Sequence, residues 1–434
     1  MPIRLNSAGA DFEQAFQTLL AAKRETSVDV DQSVAAILAD VADRGDAALL
    51  EYTARYDRLN VAASGLAFKA HEIDTAVAAC GRAELEALEL AAARIEAYHR
   101  RQIPQDDLYT DNLGVTLGHR WTALGAVGMY VPGGTASYPS SVLMNAIPAR
   151  VAGVPRRVMV MPAPDGVFNP LTLAAAKLAG VHEIYRIGGA QAVAALAYGT
   201  ATIAPVDKIT GPGNAWVAAA KRRIFGAVGI DMIAGPSEIL VVADGANDPA
   251  WIAADLLSQA EHDTSAQSIL LTDDAAFADA VARAVTVQLQ TLPRAAIAAQ
   301  SWDRFGAIIT VPSLDEAPAL IDRIAPEHLQ LAVDAPEALM ARVRNAGAIF
   351  LGRHTPEAIG DYIAGPNHVL PTARAARYAS GLSVLDFMKR STIIGCTPDA
   401  LAALAPPATF LAGSEGLDAH ARSISIRLDP RGKP

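Results

Sequence analysis

The sequence predicts an α/β protein with two parallel β-sheets whose strands are joined by crossover helices. With 434 residues the chain is too long for one ordinary hydrophobic core, so more than one domain is expected. Hydrophobic residues make up 51% of the chain and charged residues 19%, a balance that favours folding over disorder. After Arg120, strand-like segments alternate with helix-like segments through glycine turns, which is the pattern of a parallel sheet.

The N-terminal part of the chain is predicted to be helical. Residues 1–25 have Phe12, Phe16 and Leu19 at helical spacing, which indicates a short helical arm. Residues 29–101 are dominated by Ala, Glu, Leu and Arg, which have a high intrinsic helix propensity. We therefore expect this part of the chain to supply helical packing rather than catalytic residues.

The region after Arg120 contains the first set of alternating elements. Residues 123–131 are apolar and end in a tight loop, Val131-Pro132-Gly133-Gly134. Two later helices are opened by Gly188-Gly189 and by Gly211-Pro212-Gly213-Asn214. The predicted elements are strand 157–161, helix 171–178, strand 183–187, helix 190–198, strand 206–210 and a helix that ends at 225.

A second set of the same kind follows. Its predicted elements are strand 238–242, helix 249–260, strand 267–272, helix 275–289 and strands 307–311, 329–333 and 348–351. Two α/β sheets of similar size suggest two related domains, although the sequence shows no clear internal repeat. At the end of the chain, 397–403 and 415–423 are predicted as short helices joined by Ala405-Pro406-Pro407, in an appendage too small to hold its own core.

Charge and cysteine content exclude several classes of function. The net charge is -10 and the isoelectric point about 5.4, and the absence of a basic stripe argues against a nucleic-acid partner. No apolar run is long enough to span a membrane, and the N-terminus lacks the apolar core of a signal peptide, so a cytoplasmic protein is expected. Cys80 and Cys396 form neither a disulfide framework nor a CxxC pair, so metal ligands would be nitrogen and oxygen atoms.

Residues 251–263, WIAADLLSQAEHD, are predicted to form a buried helix with one polar stripe. Asp255, Gln259 and His262 lie on that stripe, and apolar residues cover the opposite side. Gln259 and His262 are close enough for an amide oxygen and an imidazole to reach one point, with a carboxylate one turn back, and this can begin a metal site. A histidine on an amphipathic helix is more often a rim or hydrogen-bonded core residue, so this stretch alone leaves both interpretations open.

The glycine turns are candidates for binding a phosphate. The chain has no GxGxxG, but Gly188-Gly189 and Gly211-Pro212-Gly213-Asn214 place backbone N–H groups at helix N-termini, where the dipole favours an anion. In open α/β sheets ligands bind at the same place. Tyr130, beside Gly133-Gly134, adds a ring on which a base can stack. Ordinary βα turns remain the alternative to a dinucleotide site.

Three further segments carry paired polar residues. In IAPEHL, Pro326 ends a helix, and a turn then allows Glu327 and His328 to face one cleft as candidate general bases. In the glycine-rich segment 360–368, Asp361 can supply an oxygen ligand, and a histidine follows seven residues later. In SEGLDAH, Glu415 and His420 would be about 140° apart on a regular helix, so Glu415 is predicted on the first turn. Solvated loops and an exposed surface helix are the alternatives.

These segments together resemble the histidinol dehydrogenase family. The strings are SQAEHD, IAPEHLQ, GDYIAGPNHVLPT and SEGLDAHA, with GMYVPGG, IGGAQAVAALAYGT, GPGNAWV, AGPSE and GLSVLDFMKR. The resemblance covers essentially the whole chain; it is dense from Gly128 to His420 and thin before Arg101. Long strings in this order are far more specific than any single short motif.

The resemblance implies a role for each matching position. It implies one zinc ion per subunit, held by Gln259, His262, Asp361 and His420. It implies catalytic bases at Glu327 and His328. It implies substrate contacts at Ser237, Gln259, His262, His328, Asp361, Glu415 and His420. It implies contacts to NAD at Tyr130, Gln191 and Asn214. It leaves the role of His368 open.

The resemblance also implies a reaction and an assembly. The family oxidises L-histidinol through L-histidinaldehyde to L-histidine with two NAD+, as the last step of histidine biosynthesis. His328 would take the hydroxyl proton in the first oxidation, and Glu327 would activate the water that adds to the aldehyde. The family is a homodimer with shared active sites and small swapped terminal segments, built on two incomplete Rossmann-like domains.

The domain organisation expected from this resemblance divides the chain into four parts. They are a helical arm (1–25), a first Rossmann-like domain with the zinc and catalytic loops (26–128 and 236–381), a second Rossmann-like domain for NAD (129–235) and a dimerisation segment (382–434). Two other functions remain to be distinguished. One is a related NAD-dependent dehydrogenase acting on another small hydroxy compound, and the other is a zinc hydrolase, because zinc with Glu and His also describes water activation.

Overall fold

The computed structural model describes residues 1–22, 28–133, 138–233 and 235–428. The end of the predicted arm, Gly134 of the first glycine loop and Ala234 of AGPSE therefore lie outside the described residues. The chain divides into two compact units, the first built from Met1–Gln102 and Gly125–Phe387 and the second from Ile103–Leu124 and Met388–Pro434. In the described part of the chain no helix is both long and apolar enough to cross a membrane.

The first unit contains most of the helices and strands. Its elements up to residue 230 are β1 (Ile3–Asn6), α1 (Phe12–Ala21), α2 (Val28–Arg44), α3 (Asp46–Asp57), α4 (Ala70–Ala79), α5 (Arg82–Arg100), β4 (Ala126–Tyr130), α6 (Pro139–Val151), β5 (Arg156–Val160), α7 (Pro170–Leu178), β6 (Glu183–Tyr185), α8 (Gly189–Tyr198), β7 (Lys208–Thr210), α9 (Ala215–Ile224) and β8 (Gly229–Ile230). Its later elements are β9 (Glu238–Ala243), α10 (Pro249–Ala260), β10 (Gln267–Thr272), α11 (Ala275–Gln288), α12 (Ala295–Phe305), β11 (Ala307–Thr310), α13 (Ala317–Ile324), β12 (His328–Ala332), α14 (Pro336–Met340), β13 (Ala348–Leu351) and α15 (Glu357–Tyr362). The strand numbers β2, β3 and β14 belong to the second unit.

The predicted pair of parallel sheets is confirmed. A six-stranded sheet has the order β1-β11-β10-β9-β12-β13, a five-stranded sheet has the order β6-β5-β4-β7-β8, and every neighbouring pair in both sheets is parallel. Strands β9 and β10 are buried along their whole length, as expected for central strands covered by helices on both faces. One face of the six-stranded sheet packs on α10, α11 and α12, and the other packs on α1 and α13.

The N-terminal segment differs from the expected helical arm. Phe12, Phe16 and Leu19 do lie on a helix, α1, and Phe16 and Leu19 are buried. Before this helix the chain forms β1, which pairs in parallel with β11, so that Ile3 faces Ala307. The prediction missed this strand because a four-residue edge strand has almost no period of its own and is specified by a partner 300 residues away.

The five-stranded sheet shares its core with the N-terminal helices. Side chains of α2 and α3, including Val34, Val41 and Leu49, are buried in one cluster with α8, α9 and this sheet. We expected 26–128 to belong with the sheet of 236–381. Helices α2 and α3 of that segment pack against the five-stranded sheet instead. Helices α2 and α3 precede both sheets in the chain, and their apolar faces alone do not specify which sheet they cover.

The second unit is an antiparallel sheet with two helices. Its elements are β2 (Asp107–Thr110), β3 (Val115–Ala123), β14 (Met388–Cys396), α16 (Pro398–Ser414) and α17 (Asp418–Ser425). The central strand β3 pairs with β14 on one side and β2 on the other. This sheet was not predicted, since its strands come from segments more than 250 residues apart.

The predicted break at Pro406-Pro407 is wrong. Helix α16 continues through both prolines, and its last residue is Ser414. Each proline lacks an N–H group and so removes one helical hydrogen bond. Ala and Leu, which favour helices, flank the pair and support the helix on both sides of it.

Candidate active site

One cavity of about 1360 Å³ in the first unit brings together many of the predicted site residues. Its lining includes Asn214, Ser237, His262, Glu327, His328, Asp361 and His368. The six-stranded sheet contributes residues at the amino ends of β9, β10 and β12, and the five-stranded sheet contributes loops at the carboxyl ends of β4 and β7. The second contribution is the usual ligand position of open α/β sheets. The first was not anticipated from the sequence.

The adjacent bases Glu327 and His328 lie together on one wall of this cavity. Ala325 ends α13 in a left-handed conformation with φ +48°, and Pro326 then directs the chain into β12. Glu327 Oε2 accepts the backbone N–H of Glu238 at 2.8 Å. The Nδ1 atom of His328 lies 2.9 Å from the carbonyl oxygen of Glu238. The backbone of Glu238 thus holds both side chains.

Burial changes the proton affinity of both bases. Glu327 and His328 are 6% and 4% exposed. Burial raises the pKa of the Glu327 carboxyl well above its usual range, and the backbone hydrogen bond from Glu238 only partly opposes this effect. Burial lowers the pKa of His328, so its ring is neutral near pH 7. With Nδ1–H donating to the carbonyl of Glu238, the basic nitrogen of His328 is Nε2, which is buried and has no hydrogen-bond partner within the described ranges.

Gln259 and His262 meet at the C-terminal end of α10, as their spacing predicts. The Nε2 atom of Gln259 lies 3.2 Å from the Nδ1 atom of His262. Helix α10 ends at Ala260, so His262 follows the helix rather than extending its stripe. Gln259 is fully buried, and its Oε1 atom has no hydrogen-bond partner among the residues that the structure describes.

Asp255, the carboxylate one turn back on α10, has a different partner. Its Oδ2 atom accepts a hydrogen bond from Nε2 of Gln330 at 2.7 Å, and burial raises its pKa to about 6. Gln330 lies on β12, so this pair ties the helix to the strand that starts with His328. We assign Asp255 to this contact between α10 and β12, not to the metal site its spacing suggested.

Glu357 is a site residue that the sequence analysis missed. Ligand atoms of His328, Glu357 and Asp361 all lie within 4.8 Å of one another. Glu357 Oε1 is 3.6 Å from His328 Nε2, and no described residue makes a hydrogen bond with it. Burial raises the pKa of Glu357 to about 9, and the charge of Asp361 and a hydrogen bond with it add to the increase. Glu357 and Asp361 are four residues apart on α15, so their i, i+4 spacing was a usable signal.

His368 is fixed between two parts of the chain. Its Nδ1 atom lies 2.9 Å from the carbonyl oxygen of Asp361, and its Nε2 atom lies 3.3 Å from Oγ of Ser141. Burial lowers its pKa, so the ring is neutral near pH 7. The histidine therefore connects the loop after α15 to helix α6, and its imidazole faces the cavity.

The atoms around this wall fit a divalent metal ion bound by nitrogen and oxygen. In the described part of the chain, Gln259 Oε1, His328 Nε2 and Glu357 Oε1 are buried and have no hydrogen-bond partner. They come from three different elements, α10, β12 and α15. A buried polar atom without a partner destabilises a fold by roughly 1–3 kcal/mol, so each of these atoms is suited to contact a bound cation or polar ligand. Amide oxygen, imidazole and carboxylate are ligands that suit zinc and similar ions.

The cofactor residues predicted from the resemblance lie in or beside the glycine turns. The Tyr130 hydroxyl accepts the N–H of Gly189 at 3.0 Å, and burial raises its pKa to about 12. Tyr130 is 4% exposed, so its ring is not the open stacking surface that the sequence suggested. Gln191 is buried in the first turn of α8, and neither it nor Tyr130 is among the residues that line the cavity.

Asn214 and Ser237 occupy defined backbone positions. Asn214 is the N-cap of α9, where its Oδ1 atom accepts the N–H groups of Trp216 and Val217 at 3.1 and 3.2 Å. Ser237 immediately precedes β9, and its carbonyl accepts the N–H of Gln267 at 2.9 Å. Both residues line the cavity.

Glu415 and His420 belong to the second unit. Glu415 is the C-cap of α16, and α17 begins only at Asp418, so Glu415 precedes the helix that carries His420 instead of lying on its first turn as predicted. Both side chains are exposed in the single chain. Their predicted roles at the metal and substrate therefore stay predictions.

Known proteins resemble this chain over nearly its whole length. A family model described as histidinol dehydrogenase matches residues 20–428. The chain is 67% identical to the histidinol dehydrogenase of Rhodospirillum rubrum over 430 residues, which is 99% of each chain. It is 66% identical to that of Bradyrhizobium diazoefficiens over 429 residues, 99% of this chain and 100% of the relative. A crystal structure of histidinol dehydrogenase from Elizabethkingia anophelis matches with a TM-score of 0.94 and 35% identity, covering 98% of both chains. The chain belongs to the histidinol dehydrogenase family, and the cavity described above is its candidate active site.

Proposed function

We propose that this protein oxidises L-histidinol through L-histidinaldehyde to L-histidine, with NAD+ as oxidant and a bound zinc ion. Membership of the family makes the chain an oxidoreductase that catalyses the final step of histidine biosynthesis. The observation that carries the detailed proposal is that Glu327, His328 and Asp361 line one cavity, with ligand atoms of His328, Asp361 and Glu357 all within 4.8 Å of one another. A base for each of two oxidations and a binding point for a nitrogen-rich substrate are then in one cavity.

Three residues of the first unit are proposed zinc ligands. They are Gln259, His262 and Asp361, and the family resemblance adds His420 from the second unit. Zinc, when bound, anchors the imidazole and amino nitrogens of the substrate without changing its own oxidation state. Glu357 is in contact with Asp361, and we propose that it orients this carboxylate.

His328 is the proposed base of the first oxidation. Its tautomer is set by the hydrogen bond from Nδ1–H to the carbonyl of Glu238, so Nε2 carries the free lone pair. A neutral imidazole accepts the proton of the alcohol while hydride leaves the adjacent carbon. Burial of the ring keeps it neutral before the reaction begins.

Glu327 is the proposed base of the second oxidation. The aldehyde must add water before it can lose a second hydride, and the water needs a base to take its proton. Burial raises the pKa of Glu327 and makes its carboxylate a stronger base than an exposed one. The hydrogen bond from Glu238 N–H keeps one carboxylate oxygen fixed, so the other is directed to the water.

The cofactor is proposed to bind where the five-stranded sheet meets the cavity. NAD+ accepts a hydride in each of the two oxidations. Backbone N–H groups at the N-terminus of α9, near Asn214, favour a phosphate. The cavity of about 1360 Å³ exceeds the roughly 300–1000 Å³ of common small-molecule pockets, which leaves room for substrate and cofactor together. Tyr130, Gln191 and Asn214 remain the proposed NAD residues.

We propose that the protein is a homodimer with shared active sites. Glu415 and His420 are exposed on the second unit, which also exposes large apolar side chains, including Ile394, Phe410 and Leu411. Large exposed apolar side chains of this kind favour a protein partner where they form one patch. In a two-fold dimer each subunit would receive the same residues that it gives. The division into 1–25, 26–128 with 236–381, 129–235 and 382–434 stays a proposal, as does a cytoplasmic location for this biosynthetic enzyme.

The test is to add L-histidinol and NAD+ to the purified protein and follow NADH absorbance. We expect two NADH for each histidinol consumed, with histidine as product. Another hydroxy compound oxidised faster than histidinol would favour the related dehydrogenase, and hydrolysis without NADH would favour the zinc hydrolase. Either result would overturn the proposal.

A further inference from the structure

A buried ion pair encloses the first residue of the glycine turn before α9. Lys221 Nζ and Asp231 Oδ1 are in direct contact, and their side chains are only 3% and 1% exposed. Among the Lys and Arg ion pairs in the described part of the chain, this is the most buried pair. Lys221 comes from α9 and Asp231 follows β8, so the pair joins a helix to the sheet edge beside it.

Both charged side chains form hydrogen bonds with the backbone of Gly211. Asp231 Oδ2 accepts the N–H of Gly211 at 2.8 Å, and Lys221 Nζ donates to the carbonyl of Gly211 at 3.0 Å. Asp231 Oδ1 also accepts the N–H of Met232 at 2.7 Å. Each backbone group of Gly211 is therefore held by a charged side chain.

The position of Gly211 explains why its backbone must be held. Its φ is +104°, and a Cβ on this residue would lie 2.1 Å from the carbonyl oxygen of Tyr130. The turn therefore lies against the backbone at the end of β4. Gly211, Asn214 and Asp231 all line the active-site cavity. A small rotation at Gly211 would move the first turn of α9 and its N–H groups.

Stability does not account for this arrangement. Removing two charges from water is costly, and apolar replacement of a buried pair is often neutral or stabilising. Lys221 also reaches toward the N-terminal end of α9, where the helix dipole disfavours a cation. A pair with these disadvantages is better explained by the shape that it imposes on the turn.

We propose that Lys221 and Asp231 are positioning residues for the cofactor. They hold the Gly211–Asn214 turn in the conformation that binds the phosphates of NAD, and neither touches the reacting atoms. This inference rests on the proposed function, because that function assigns the turn to NAD. It predicts that variants of the pair that still fold bind NAD more weakly than the wild type.

The test uses NADH binding to the full-length, metal-loaded protein, measured by fluorescence titration without histidinol. The double variant Lys221→Met with Asp231→Leu replaces the pair by apolar side chains and leaves both Gly211 groups unpaired. We expect its NADH dissociation constant to rise about tenfold or more, since one or two hydrogen bonds that order the turn are lost. The variant should still fold and keep the zinc content of the wild type, with a lower melting temperature because the two Gly211 backbone groups are left unpaired.

A second variant and a control keep the outcome clear. Asp231→Asn preserves the side-chain shape but removes the charge, and we expect it to weaken NADH binding about threefold or more. The control is Arg156→Leu with Glu183→Gln, which removes an ion pair of the same sheet whose residues do not line the cavity. That variant should bind NADH like the wild type, even if it melts earlier.

Three results would decide the matter. Folded variants at Lys221 and Asp231 that bind NADH as tightly as the wild type would overturn the positioning role alone. A wild-type protein that does not bind NADH would overturn the proposed cofactor and this inference together. Weaker NADH binding by the variants, with binding by the control unchanged, would establish the role.

Discussion

Replacing Glu327 by glutamine separates the two oxidations. Glutamine has the shape of the protonated acid, and its amide oxygen can still accept the N–H of Glu238 that Glu327 accepts at 2.8 Å. The variant should therefore fold normally while losing the base. Because burial raises the pKa of Glu327, the native carboxylate is a strong base, and its removal should lower the reaction rate.

The expected loss concerns the aldehyde step. A positioned general base contributes about a hundred- to ten-thousand-fold in rate, which corresponds to roughly 3–5 kcal/mol in the activation free energy. Glu327→Gln should lose that factor on L-histidinaldehyde and still form a first equivalent of NADH from L-histidinol. His328→Ala should show the opposite preference, because its Nε2 atom is the base for the alcohol.

The assay compares initial NADH formation from the two substrates by stopped-flow absorbance. Glu84→Gln is a matched control, because Glu84 also lines the cavity and glutamine can keep its capping interaction with the N–H of Gly81. That control should act like the wild type on both substrates. A Glu327→Gln enzyme that oxidises histidinaldehyde at the wild-type rate would refute the assignment.

Three further perturbations test the metal, Glu357 and the dimer. Removing metal with a chelator should abolish activity and leave the far-UV circular dichroism unchanged, because the proposed ligands lie on preformed elements; loss of secondary structure would instead indicate a structural metal. The pKa of Glu357 is raised from its ordinary value of 4.5 to about 9, so the folded metal-free protein holds a proton that the unfolded chain releases in this range. Its stability should therefore fall as pH rises from about 5 to 9, by at most about 1.4 kcal/mol per pH unit, and Glu357→Gln should flatten this slope in urea unfolding; equal slopes would contradict the shift. Mixed refolding of His262→Asn with His420→Asn, each inactive alone, should restore roughly a quarter of wild-type activity if sites are shared across a two-fold dimer. An inactive mixture, with subunit exchange shown by a mass tag, would remove the shared site.

Local sequence patterns predicted much of the fold. The predicted bounds of α10, β10 and β13 match the structure, and the other strands that were predicted in the two parallel sheets differ by a few residues, whereas β1 and β8 were not predicted. These elements succeed because glycine turns separate apolar runs of clear period. The same reasoning failed for β1 and for α16 at Pro406-Pro407, where a distant strand or a strongly helical context overrides the local signal.

The candidate site was also predicted only in part from the sequence. The Gln259–His262 and Glu327–His328 pairs could be found from spacing alone, because each pair lies within one turn of chain. Glu357 was missed even though it is four residues from Asp361. Its importance comes from burial and from its contact with His328, and neither is visible in a sequence.

The sequence by itself determined the α/β class, the alternation of strands and helices, and the residue types available for acid–base and metal chemistry. Only the tertiary structure decided which of these residues share a cavity. It joins the amino ends of one sheet to the carboxyl ends of another, so that Asn214 and His328 line the same space. It also buried the ring of Tyr130 and paired Asp255 with Gln330 through a hydrogen bond. The physical reason is that periodicity reports the environment of one element, whereas convergence and pKa depend on burial created by packing between distant elements.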